Sequence, residues 1–109
     1  MKAKKQTQFK AVLRQAARAG LLEGKISISD WLKIQGVLLN SKRTAEDGTK
    51  INLIDEIAQY STDTMLKEGH VAVGATVDSI DWTSVLEWLK NAMPTILQFI
   101  TTLMSLFGK

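Results

Sequence analysis

Apolar residues recur at steps of three and four along most of the chain, which is the spacing of one face of an α-helix. The first predicted helix covers about residues 4–22, and the second begins at Ser27 or Ser29 and ends near Asn40. A third is predicted over residues 52–67. The pattern therefore predicts an all-α fold that starts with a helical hairpin and continues with a third helix.

Polar residues that can bond free backbone N–H groups mark the starts of these helices. Ser27 is followed three residues later by an acid, which resembles a capping box, and Asn52 can cap the third helix. Asp81 can cap a final helix over residues 82–107, with Gly108 as its stop.

Two stretches lack helical periodicity. Residues 41–50 hold no large apolar side chain and include an Asp-Gly pair, so they are predicted to be a solvated loop. Residues 70–80 are small or β-branched and are predicted to be an extended connection. The chain is thus divided into a basic helical body (residues 1–69), an extended connector (70–80) and a C-terminal helix (81–109).

The final predicted helix carries the broadest apolar face of the chain. Its seam follows heptad steps of three and four, through Leu86, Leu89, Met93, Ile96, Ile100, Leu103 and Phe107. Apolar residues flank the seam on both sides, so the face is wider than a two-stranded coiled coil needs. Three arrangements could cover it: a small four-helix domain built by this chain, association with another chain, or contact with lipid.

The other predicted segments carry modest apolar area, and we expect that they cannot cover so broad a face. Residues 92–107 would span about 24 Å as a helix, against about 30 Å of hydrocarbon in a bilayer. A lone spanning helix is therefore marginal, whereas an interfacial helix or a bundle fits better. The residues of the seam are predicted to mediate assembly or membrane contact.

Charge is divided unevenly along the chain. Residues 1–50 carry eleven Lys or Arg and four Asp or Glu, whereas residues 51–109 carry three and seven, which gives the net charge of +3. Six basic residues precede the first acid: Lys2, Lys4, Lys5, Lys10, Arg14 and Arg18. These six are predicted to face an anionic surface, either nucleic acid or lipid, although a solvated helix face is the alternative.

Composition excludes several classes of chemistry. The chain has no cysteine and one histidine, His70, which excludes disulfide scaffolds, thiol catalysis and multi-histidine zinc sites. It also lacks a glycine-rich phosphate loop, a nucleophile elbow and a zinc-protease motif. We predict no enzyme activity, cofactor, metal or small-molecule substrate. The basic start is not followed by an apolar stretch, so secretion by a signal peptide is not expected.

In overall plan the chain resembles small accessory virion proteins of bacteriophages. The resemblance rests on a short basic helical N-terminus combined with the C-terminal stretch IDWTSVLEWLKNAMPTILQFITTLMSLF (residues 80–107). It implies a capsid, vertex or membrane-associated structural role, located in the virion, the cytoplasm or at a membrane, and it implies no functional residues.

We therefore predict a non-enzymatic structural protein, a minor virion component that associates through its C-terminal helix with itself or with another structural protein. Two alternatives remain open. One is a pore-forming or holin-like membrane protein, whose Thr/Gln/Ser stripe on the final helix would face water. The other is a small nucleic-acid-binding protein that contacts phosphates without reading sequence.

Overall fold

The computed structural model describes the backbone of residues 3–107 and the side chains of residues 6–107. In chain order the elements are α1 (Ala3–Leu22), α2 (Ile28–Leu39), β1 (Lys42–Thr44), β2 (Lys50–Asn52), α3 (Leu53–Lys67), two 3-10 helices (Val77–Ser79 and Trp82–Val85) and α4 (Leu86–Phe107). The prediction of an all-α fold is confirmed. The predicted stop at Gly108 lies outside the described residues.

Hydrogen bonds at the helix starts match those predicted from sequence. Ser27 Oγ accepts from the Asp30 backbone N–H at 3.0 Å, and the Asp30 carboxylate accepts from the Ser27 N–H at 3.3 Å. Asn52 Oδ1 likewise accepts from the second residue of α3 at 2.9 Å. Asp81 caps the 3-10 helix that leads into α4, so α4 itself begins at Leu86, four residues after the predicted start at Trp82.

Residues 41–50 are exposed or half-buried, as predicted for a solvated segment, but they form most of a short β-hairpin instead of an irregular loop. Strands β1 and β2 pair antiparallel with Arg43 opposite Ile51, and Gly48 adopts a φ of +88° in the connecting turn. Each strand has three residues that are exposed or half-buried, so their pairing depends on backbone hydrogen bonds. A hairpin of this kind leaves no hydrophobic pattern in the sequence.

One hydrophobic core joins all four helices and the two 3-10 helices. Helix α4 packs mainly against α1 and also against α3. Ala16, Ala17 and Gly20 of α1 are buried, and their small size permits close approach of neighbouring segments. The largest fully buried side chains are Trp82, Phe9, Leu13, Ile34, Leu53, Ile54, Ile57, Met65, Leu89, Met93, Ile96 and Ile100.

The broad apolar face of α4 is covered by the rest of the chain, contrary to prediction. Five of the seven seam residues are buried in the common core: Leu89, Met93, Ile96, Ile100 and Leu103. Leu86 and Phe107 are half-buried against the same core. The physical reason is that α4 packs against both α1 and α3 and also against the 3-10 helix that precedes it. Residues 81–107 therefore belong to the same packed body as residues 3–69, and the seam is not a free assembly surface.

Candidate functional site

The outer face of α1 is basic. Helix α1 buries the stripe that contains Phe9 and Leu13, and it presents Lys10, Arg14 and Arg18 at steps of four residues. Arg14 and Arg18 are exposed, and Lys10 is half-buried. Helix α1 has no acidic residue along its length. The residues predicted for an anionic surface thus share one side of one helix, as far as their side chains are described.

None of these three cations forms an ion pair with a carboxylate of the described residues. Two carboxylates do contact α1, but on its flanks: Asp55 accepts from the Gln6 side-chain amide at 3.0 Å. Asp81 accepts from the Gln8 amide at 3.1 Å. Of the remaining predicted residues, Lys4 and Lys5 lie in α1 with side chains outside the described part, and Lys2 precedes the described residues.

Two polar residues of α4, Asn91 and Thr101, form hydrogen bonds with neighbouring segments. Lys33 Nζ, on α2, donates to Thr101 Oγ1 at 2.9 Å, and Lys25 Nζ lies 3.4 Å from Asn91 Oδ1. These bonds tether α2 and the turn before it to α4. Among the helices of residues 3–107, none combines the length and hydropathy needed to cross a membrane.

A cleft of about 500 Å³ between α3 and α4 contains the one histidine of the chain. Glu68 Oε1 accepts from the Trp88 indole N–H at 2.9 Å and lies 3.4 Å from His70 Nε2. His70 is exposed. The contacts around Glu68 join the end of α3 to α4, and no group of three or more potential metal ligands occurs in the part of the chain that the structure describes.

Sequence reasoning missed an exposed apolar face on α2. Ile28, Leu32 and Leu39 are 66%, 57% and 85% exposed, whereas the sequence pattern predicted only a helix of modest apolar area here. The core side of α2 is formed by other residues, namely Ile34, Val37 and Leu38. The sequence of α2 does contain two separate apolar stripes. A single core can bury only one of them, which indicates that the other is exposed.

Comparison with protein-family models, with curated proteins and with solved structures finds no match to this chain. The resemblance to small virion proteins therefore stays a prediction. Two surfaces of the described residues are unusual in charge or exposure: the basic face of α1 and the exposed apolar residues Ile28, Leu32 and Leu39 of α2.

Proposed function

We propose that the protein is a non-enzymatic structural protein that binds the phosphate backbone of a nucleic acid through the outer face of α1. The observation that carries the proposal is an acid-free helix of 20 residues with Lys10, Arg14 and Arg18 on one side and no carboxylate partner among the described residues. In a minor virion component, the polyanion would be the packaged genome.

The energetics of α1 support this function. Like charges four residues apart destabilise a helix by about 0.2–0.5 kcal/mol per pair, and α1 has two such pairs without an acid to offset them. Phosphates close to these cations make the same charges favourable, because binding releases the counterions condensed on the nucleic acid. The basic residues of α1 are therefore more favourable when a polyanion is bound to them than when the protein is free.

The structure favours contact with the phosphate backbone over recognition of a base sequence. The first two helices have the order of a helix-turn-helix, but the outer face of α2 presents Ile28, Leu32 and Leu39. Aliphatic side chains cannot form the bidentate hydrogen bonds that distinguish bases in the major groove. We therefore expect binding that depends on salt and hardly at all on sequence.

The test is the salt dependence of binding to a short fluorescent duplex, measured by anisotropy between about 50 and 200 mM salt. The variant Lys10→Gln/Arg14→Gln/Arg18→Gln should reduce the slope of log affinity against log salt by about 2–3, because each phosphate contact contributes about 0.9. The matched control is Lys42→Gln/Lys50→Gln/Lys67→Gln, which removes the same charge from exposed lysines outside α1.

The control variant should keep most of the slope of the original chain. Equal losses in the two triple variants would contradict a role for α1, since net charge alone would then explain binding. Binding to vesicles of anionic phosphatidylserine with none to the duplex would overturn the choice of nucleic acid. A strong preference for one duplex sequence would contradict contact through phosphates.

A further inference from the structure

The outer face of α2 comprises Ile28, Trp31, Leu32, Gln35, Gly36 and Leu39. Its three large aliphatic residues are more than half-exposed, whereas Trp31 and Gln35 are half-buried. Four of the six residues, Ile28, Leu32, Gln35 and Leu39, follow steps of four, three and four, which is the spacing of a seam between two helices. This face is the second apolar stripe of a helix whose first stripe is already buried in the core.

The outer face of α2 carries no charge. The two charged residues of this helix, Asp30 and Lys33, lie on the side of α4: Lys33 bonds Thr101, and Asp30 borders a cleft with Pro94. A neutral apolar face gives a polyanion nothing to bind, and it creates no like-charge repulsion when two copies meet. The chemistry of this face therefore fits another neutral apolar helix.

The order of residues along this face also suits an antiparallel pair of two copies. A two-fold axis across the middle of α2 places Ile28 opposite Leu39 and Leu32 opposite Gln35 of a second copy. The same axis places Trp31 opposite Gly36, where a side chain built on the glycine would meet no atom within 4 Å. Trp31, which is half-buried against its own core, thus lies across from a position without a side chain, whereas a parallel pair would set Gly36 against Gly36.

From these observations we propose that α2 pairs antiparallel with α2 of a second copy, burying Ile28, Leu32 and Leu39 across a two-fold axis. Such an interface is isologous, so each half supplies the same surface. The self-association surface lies on α2, and α4, whose seam was predicted to serve for assembly, contributes to the core of each copy.

The proposed interface is small. The 12 residues of α2 span about 18 Å, and a stable dimer buries about 800 Å² on each partner. We therefore expect a reversible dimer with a dissociation constant in the micromolar range. Because each copy carries a net charge of +3, salt should strengthen dimerisation, whereas it should weaken polyanion binding through α1. The two proposals can therefore fail independently.

The first experiment is sedimentation velocity of the full chain from low micromolar to near-millimolar concentration. The sedimentation coefficient should rise with concentration in the original chain, and Leu32→Gln/Leu39→Gln should weaken association by about tenfold or more. The matched control is Leu22→Gln/Leu106→Gln, which alters leucines that are 76% and 65% exposed elsewhere on the surface. Far-UV circular dichroism checks that both variants keep their helices.

The second experiment tests the orientation of the pair. Ile28→Glu alone should abolish the dimer, because it buries a carboxylate against Leu39 of the second copy. The double variant Ile28→Glu/Leu39→Lys should restore association, because opposite charges then face each other in the antiparallel pair. The introduced acid and base lie at the first and last residues of α2, where the helix dipole favours them.

Several outcomes would overturn the proposal. The chain could stay monomeric at every concentration, or the Leu22→Gln/Leu106→Gln control could abolish the dimer while the α2 variant keeps it. Failure of Ile28→Glu/Leu39→Lys to restore association would overturn the antiparallel orientation. Binding of a monomer to neutral phosphatidylcholine vesicles, lost in Leu32→Gln/Leu39→Gln, would assign the outer face of α2 to lipid instead.

Discussion

The indole of Trp82 meets the ring of Phe9 edge-on, with ring centroids 4.6 Å apart and ring planes inclined at 68°. Both side chains are fully buried. Phe9 belongs to α1 and Trp82 to the 3-10 helix that leads into α4, so this contact joins segments more than seventy residues apart. Edge-to-face pairs of this kind are favoured by the charge distribution of aromatic rings.

Trp82→Ala should therefore lower the free energy of unfolding by about 3–5 kcal/mol, because it removes a large side chain from a core that cannot close around the cavity. Urea unfolding followed by circular dichroism measures the change. The comparison is Trp88→Phe, which removes a hydrogen bond to Glu68 at a half-buried site and should cost about 1 kcal/mol. Similar losses of unfolding free energy in the two variants would contradict a larger contribution of Trp82 to the core.

Pro94 lies within α4, and its ring is exposed. Proline has no N–H, so the carbonyl of Lys90, four residues earlier, lacks its helical donor. We expect Pro94→Ala to raise the free energy of unfolding by about 1–3 kcal/mol in urea titrations. Thr95→Ala, at the next exposed position, should change stability by less than about 1 kcal/mol. A loss of stability in Pro94→Ala would show that the proline ring contributes packing.

Gly36 and Gly24 are both exposed, but they differ in backbone conformation. Gly24 has a φ of +75°, whereas Gly36 lies in the middle of α2. Gly36→Ala should therefore stabilise the monomer by about 0.5–1 kcal/mol, and Gly24→Ala should destabilise it by a similar or larger amount. Thermal unfolding at low concentration measures both. At high concentration, Gly36→Ala should weaken dimerisation, since its methyl group occupies the space proposed for Trp31.

Asp47, in the turn between β1 and β2, accepts from the Thr49 backbone N–H at 2.9 Å. Hydrogen bonds from the side chain and the backbone of Thr49 lower the pKa of Asp47 below its ordinary value of 3.8. A lowered pKa means that the carboxylate stabilises the hairpin above pH 3.8. That contribution disappears as the pH falls through the folded-state pKa.

Thr49→Val should move the pKa of Asp47 back towards 3.8, because the hydroxyl is the largest cause of the shift. A titration followed by carboxyl-carbon NMR measures the change, and Thr44→Val in β1 serves as a control that should leave the pKa of Asp47 where it is. An unchanged pKa in Thr49→Val would show that the backbone bond accounts for the whole effect.

Local features of the fold were predictable because their causes lie within a few residues. Ser27 and Asn52 cap as predicted, and Asp81 caps the 3-10 helix that precedes α4, since a cap depends only on a side chain and the next two or three N–H groups. The pairing of β1 and β2 was missed because neither strand buries an apolar face. A periodic hydrophobic pattern indicates which side chains are buried. This hairpin is held by backbone hydrogen bonds and buries few side chains, so its sequence shows no such pattern.

The distribution of apolar surface between α2 and α4 could not be read from either helix alone. A helix shows in its sequence how wide its apolar face is, but the number of neighbours that cover it is set by the tertiary fold. Both helices pack against α1 and α3, but α4 buries six residues in the core, whereas α2 buries three and keeps Ile28, Leu32 and Leu39 exposed. For the same reason, the basic face of α1 was predictable as a charge pattern, but the absence of ion pairs there among the described residues was not.

The burial of α4 against α1 has a consequence for synthesis of the protein. Residues 3–69 emerge from the ribosome first, yet Leu89, Met93, Ile96 and Ile100 complete the core that they share. Helix α1 therefore lacks its main packing partner until α4 has been translated. Phe9 and Leu13 would stay accessible to chaperones and to other unfinished chains until then, so the core of this body is completed only once α4 is available.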